Sequence, residues 1–151
     1  MEKNILGNHT VVQIGIIVKD IQKTAQKYAD FFGVEMPEIV TTDAYEKAQT
    51  QYKGSPSPAR AKLAFFRTPG AVELELIEPD NNPSTWREFL DTYGEGLHHL
   101  AFFIEDMQGK VSKLQANGME LIQKGEYTGG RYAYIDSTAD LKTIIELLEN
   151  D

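Results

Sequence analysis

The chain repeats itself, and that limits its possible folds more than any other feature. Laying Gln13 on His99 aligns QIGIIVKDIQ with HLAFFIEDMQ at an offset of 86 residues, which also brings Asp20 onto Asp106 and Gln22 onto Gln108. A second match, LELIEP (74–79) with IELLEN (145–150), runs at an offset of 71. The halves therefore differ by 15 residues. The natural surplus is TTDAYEKAQTQYKGSPSPAR (41–60), a polar stretch that reads as a loop or irregular segment.

Each half reads as a strand, a helix and further strands. VVQIGIIVKD (11–20) is short and β-branched, hence a strand. Asp20 then caps a helix carrying Ile21, Ala25, Tyr28 and Phe32 at helical spacing, ended by Gly33. AKLAFFRT (61–68) and AVELELIEP (71–79) follow as strands joined at Pro69-Gly70, and Thr85 with Glu88 makes a capping box for a short helix. The order then restarts with HLAFFIED (99–106). Asp106 caps a helix with Met107, Val111 and Leu114, and ELIQKGEY, RYAYIDS and KTIIELLE close the chain as strands. Two such halves packed together give an α+β protein with a curved sheet and a hollow between them, one domain over residues 1–151 with modules at about 9–80 and about 96–151.

Composition narrows the chemistry. Cys is absent, which excludes disulfides and thiolate metal sites and leaves His, carboxylate and amide ligands. A formal charge of -8 argues against nucleic acid, since phosphate binding needs a basic face. MEKNILGN lacks the apolar core of a signal peptide and no run approaches a membrane span, so the expectation is a cytoplasmic protein with no membrane partner.

Strand periodicity selects the candidate site. Neighbouring residues on a strand point to opposite faces. His98 is therefore expected with Leu100, Phe102 and Ile104 under a helix, and His99 with the small Ala101 facing the hollow. Gln13 and the small Gly15 repeat the pattern in the first half. Glu75 lies between Leu74 and Leu76, and Glu146 has Ile144 and Leu148 on its own face with Ile145 and Leu147 on the other. A carboxylate among apolar residues needs a partner or a metal. Gln13, Glu75, His99 and Glu146 thus form two repeat-equivalent pairs able to converge. Two carboxylates, an imidazole and an amide suit one divalent cation such as Zn, Ni, Co, Mn or Fe. His98 and His9 read as structural. Gly129-Gly130-Arg131 reads equally as a plain hairpin or as a turn where Gly130 and Arg131 meet a carboxylate or phosphate. Lys53, Arg60 and Lys62 could meet an anionic ligand, or simply be solvated. Trp86, Phe89 and Tyr93 form an apolar helix stripe, and Trp86 could wall a pocket mouth.

The paired modules, GEGLHHLAFFIED, and GGRYAYID followed by IIELLE resemble the vicinal oxygen chelate superfamily over nearly the whole chain. GEG-x-HH-x-AF looks like its methylmalonyl-CoA epimerase branch. The resemblance implies two βαβββ modules in a curved, incomplete barrel around a central metal-binding hollow. By position it implies the ligands Gln13, Glu75, His99 and Glu146, one divalent ion, a small-molecule carbonyl or thioester substrate, and a homodimer. The Gln/Glu/His/Glu set is like that of glyoxalase I, whereas epimerases carry His at the position of Gln13 and Gln at that of Glu75. The stretch expected to bring an epimerase its second catalytic Glu reads SPSPA here, without a carboxylate. The expected activity is therefore proton transfer next to a carbonyl through a metal-bound enediolate. Glu146 or Glu75 would be the base, and glyoxalase I-type isomerisation stands ahead of acyl-CoA epimerisation or a non-catalytic bleomycin-resistance-type binding role.

Overall fold

The computed structural model describes residues 1–151. Strands β1 (Gln13–Ile17), β2 (Val40–Thr41), β3 (Gln51–Tyr52), β4 (Ser55–Pro56), β5 (Ala61–Arg67), β6 (Glu73–Pro79), β7 (Gly96–Phe103), β8 (Glu120–Tyr127), β9 (Gly130–Asp136) and β10 (Ile144–Asn150) form one sheet. Helices α1 (Ile21–Phe32), α2 (Tyr45–Ala48), α3 (Thr85–Tyr93), α4 (Met107–Ala116) and α5 (Thr138–Leu141) join them. The strand order is β2-β5-β6-β1-β7-β10-β9-β8-β3-β4. It is symmetric about the central pair: β1 runs parallel to β6, β7 parallel to β10, and β1 antiparallel to β7. The α+β class and the curled, open half-barrel follow from this order.

The alternating patterns work as read. Outward-facing Leu74, Leu76, Ile16 and Val18 pack with Ile21, Ala25 and Ala29 of α1. Leu100, Phe102, Ile145 and Leu147 pack with Leu114 of α4. The inner face carries a third cluster, in which Ile17 and Ile77 meet Trp86 and Leu90 of α3, so α3 fills one end of the hollow. The helix boundaries have local causes. Asp20 accepts from Lys23 N and Asp106 from Gly109 N, while Gly33 closes α1 at φ 69, a conformation that costs a Cβ-free residue nothing.

Three local expectations change. Ser84, not Thr85, caps α3 by accepting from Arg87 N. Glu88 does not fold back as a capping box would require; it accepts from the Tyr52 hydroxyl and, at 3.1 Å, from Lys53 Nζ. Residues 41–60 are more than a surplus loop. Val40–Thr41 pairs with β5 at one end of the sheet, while Gln51–Tyr52 pairs with β8 near the other. Nine residues, 42–50, join them, and an extended chain of that length reaches about 30 Å at most. The sheet must therefore curl until its ends approach, with this segment strapped across the opening.

Candidate active site

The four candidate residues lie on the four central strands in two rows. One row runs Glu75, Gly15, His99; the other runs Glu73, Gln13, Ala101, Glu146, Tyr134. The repeat exchanges them: Gln13 corresponds to His99, Gly15 to Ala101 and Glu75 to Glu146. Each row thus has a small residue between its donors, and the small residue makes the space. A Cβ on Gly15 would stand 2.1 Å from Cε1 of His99, so the imidazole occupies the volume this glycine vacates.

All four side chains are buried, His99 completely. His99 Nε2 lies 3.1 Å from Gln13 Oε1 and 3.0 Å from Glu146 Oε2. The second contact lacks hydrogen-bond geometry, and Glu146 Oε2 is left a buried oxygen without a hydrogen-bonding partner. Gln13 Nε2 donates to Glu73 Oε1 at 3.0 Å, which turns the amide oxygen inward. Glu73, on the same strand face as Glu75, is thus a further member of the site.

His98 departs from the expected alternation. His99 pairs with Gly15 and Leu97 with Ile16, so His98 is the extra residue of a β-bulge. Bulges re-aim side chains, and here both imidazoles lie on the inner side. Their Nδ1 atoms are 2.9 Å apart, so one donates and the other accepts. The His98 ring is wedged between Phe89 of α3 and Tyr134, with centroids 5.4 and 5.1 Å away, on the side of the sheet opposite Leu100, which packs with α4.

Electrostatics single out the two carboxylates. Burial holds Glu75 well above the usual carboxylate range, and the charges of Glu146 and Glu73 add to it. Burial likewise pushes Glu146 up to about 8, against the pull of the Tyr134 hydroxyl beside it. Burial also depresses His99 to about 3, so its imidazole is neutral near pH 7; Nε2 donates to Gln13 Oε1 and Nδ1 accepts from His98, and binding an ion at Nε2 would require the other tautomer, with Nδ1 donating to His98. Tyr134 is itself raised by burial, and its hydroxyl accepts from Trp86 Nε1 at 2.9 Å.

A hollow of about 460 Å³ opens over this floor. Gln13, Glu75 and Glu146 line it, and Leu63, Phe65, Phe103 and Leu148 form apolar walls; His99, expected to face the hollow, is fully buried and does not line it, touching Gln13 and Glu146 instead. Trp86 lines it while packing in the inner core with Ile17 and Ile77. Gly130 and Arg131 do not: Arg131 bonds Glu149 and Asp151 on the outer side of the sheet, and Gly130 is closed in by the Glu149 carbonyl. Sequence reading missed Asp43, Thr50, Tyr132 and Tyr134, which also line the hollow. The period-2 pattern of RYAYIDS already put both tyrosines on one face. Nothing local marked Asp43, which reaches the hollow only because its segment spans the opening.

The donor set suits a divalent ion in its chemistry: an inward amide oxygen, a neutral imidazole, two carboxylates, and one buried carboxylate oxygen lacking a partner. The site is not closed as it stands, since no three His, Asp or Glu side chains are clustered tightly enough to hold an ion.

A profile of the glyoxalase/bleomycin resistance protein/dioxygenase superfamily matches residues 12–134. The chain belongs to this superfamily, whose vicinal oxygen chelate fold the half-barrel reproduces. Among curated relatives, the uncharacterized protein YqjC of Bacillus subtilis (strain 168) is 32% identical over 93 residues. That match covers 60% of this chain and 66% of the relative, just under two thirds of the relative's own length. A 2-epi-5-epi-valiolone epimerase of Actinomyces sp is 25% identical over 142 residues, 87% of this chain and 75% of the relative. Among solved structures, methylmalonyl-CoA epimerase from Mycobacterium tuberculosis superposes with a TM-score of 0.65 at 21% identity, covering 100% of this chain and 93% of that one. At that identity the likeness is one of fold. No helix is long and apolar enough to cross a membrane.

Proposed function

We propose that this protein is an enzyme that moves a proton on a carbon next to a carbonyl, with one divalent ion held by Gln13, Glu75, His99 and Glu146. The observation that carries this reading is the meeting of the neutral His99 imidazole with the Gln13 amide oxygen and the buried Glu146 carboxylate, with the second buried carboxylate, Glu75, lining the same hollow beside Gln13 and Glu146. When bound, the ion would polarise the substrate carbonyl and stabilise the negative charge that develops as the proton leaves. Glu146 takes the proton. Its buried Oε2 makes no hydrogen bond, so with the bound cation keeping the carboxylate ionised that oxygen would be available to accept a proton. Tyr134, held by Trp86, orients Glu146 from the neighbouring strand. Leu63, Phe65, Phe103 and Leu148 keep water from the reacting carbon.

The Gln/Glu/His/Glu set favours glyoxalase I-type isomerisation, in which one carboxylate both removes and returns the proton. A second reading, epimerisation, is favoured by Asp43. It enters the hollow from the strap, whereas Glu75 and Glu146 rise from the sheet, so it is placed to serve a different face of the substrate. The epimerase relative points the same way.

Incubation of metal-loaded protein with 2-hydroxycarbonyl compounds in D₂O tests the class: metal-dependent exchange of the α-proton is expected, and no exchange with any carbonyl substrate sinks it. Asp43→Asn separates the two readings. It stops epimerisation while sparing exchange if two bases act, and changes neither if one does.

A further inference from the structure

The charge of the hollow restricts what enters it. None of its lining residues is Lys, Arg or His, whereas Asp43, Glu75, Glu126 and Glu146 all contribute carboxylates. A divalent ion would balance Glu75 and Glu146 and leave Asp43 facing the ligand, while Glu126, at the edge of the hollow, is already paired with Arg131.

The basic residues that might receive an anionic tail are engaged elsewhere. Arg131 contacts three carboxylates, Glu126, Glu149 and Asp151. Lys53 pairs with Glu88 and Lys62 with Glu78. Arg60 donates Nε to the Thr42 carbonyl at 2.8 Å and does not line the hollow. The polar wall is instead built from neutral groups, the hydroxyls of Thr41, Thr42, Thr50 and Tyr127 and the amide of Asn150. Such groups bond other hydroxyls well and neutralise nothing. A volume of about 460 Å³ lies within the usual range for small-molecule sites.

Building on the proposed function, we infer that the substrate is a neutral polyhydroxylated carbonyl compound, of the size of a cyclic sugar alcohol ketone, and not a CoA thioester or glutathione adduct. The ion and the carboxylates take the carbonyl and its neighbouring hydroxyl at the floor. The threonine and Asn150 side takes the remaining hydroxyls, and the leucine and phenylalanine side takes the ring carbons.

Calorimetric titration tests this with three probes: 2-keto-myo-inositol, methylmalonyl-CoA, and the hemithioacetal of methylglyoxal with glutathione. Zinc-loaded protein binds the neutral ketone more tightly than either anion by on the order of tenfold, and added salt narrows the gap by screening repulsion. Glu126→Lys tightens the anions relative to the ketone by a similar factor, on the order of tenfold. An anion that binds more tightly than the ketone, with affinity falling as salt rises, overturns the inference; so does a ketone that does not bind. Zinc is titrated first. Protein that takes no zinc counts against the proposed function, and the ranking of the three probes on that protein still decides the charge of the ligand.

Discussion

The two halves of the sheet differ most where the repeat says they should match. In the second half the strand after the helix, β8, runs 8 residues; its counterpart β2 runs 2. The first half puts the following residues into the strap, which crosses the opening and pairs β3 with β8. Where the halves do agree, at Gln13 and His99, Gly15 and Ala101, Glu75 and Glu146, they set out the floor of the hollow. Shared strand register thus fixes where the donors stand, and the divergent segment closes the space above them and shapes what can enter.

The largest expected effect separates the two carboxylates. If Glu146 is the base proposed, Glu146→Gln keeps a side-chain oxygen and removes that base, so kcat falls on the order of 10²–10⁴ with substrate affinity nearly unchanged. Glu75→Gln changes metal affinity more than kcat if the halves have divided the work. Equal losses in both would show that the comparison assigns roles the two carboxylates do not have.

The small residues give the next test. Gly15→Ala drives a methyl into the His99 ring, so the imidazole must leave its place. A stability loss of about 1–3 kcal/mol by thermal melting is expected, with weakened metal binding. Ala101→Gly, the repeat-equivalent change, only frees backbone and costs about 1 kcal/mol or less. Similar outcomes for the two would mean that the space at Gly15 is not what seats His99.

Acid–base behaviour sharpens the same contrast. In metal-free protein Glu75 and Glu146 are raised above 4.5, so the folded state holds protons that the unfolded chain releases. Their effect on stability grows as pH falls from about 8. His98 and His99 are depressed below 6.5 and act oppositely, removing stability as pH falls from 6.5 toward about 3. Metal-free protein therefore gains stability as pH falls from about 8 to 6.5. Below 6.5 the two pairs offset. Metal-loaded protein lacks the gain, since a bound cation keeps the carboxylates ionised. Melting curves that coincide with and without metal across this window would contradict a shared site.

A further test is a wall contact: Tyr134→Phe removes the acceptor of Trp86 Nε1 and the hydroxyl beside Glu146, at about 1–2 kcal/mol in a denaturant titration.

Much of this was legible in the chain because period-2 alternation is a local property. IIELLEN announced a carboxylate between apolar neighbours, and QIGII with HHLAF announced donor and small residue side by side. The failures were tertiary. No strand pattern shows that β7 bulges at His98, because the bulge is set by its register against β1. The strap through Asp43 depends on how far the sheet curls, which sequence-adjacent residues do not record. Glu88 was read as a cap because its spacing fits one, and Tyr52 and Lys53, far away in sequence, drew it elsewhere.

The central claim is that four repeat-related residues hold one divalent ion. Zinc titration of the purified chain, followed by calorimetry with wild type, His99→Ala and His98→Ala, addresses it directly. About one ion per chain is expected for wild type. Loss of binding is expected in His99→Ala, and retained binding in His98→Ala. A wild type that takes no ion, or a site abolished by His98→Ala and untouched by His99→Ala, would contradict the account.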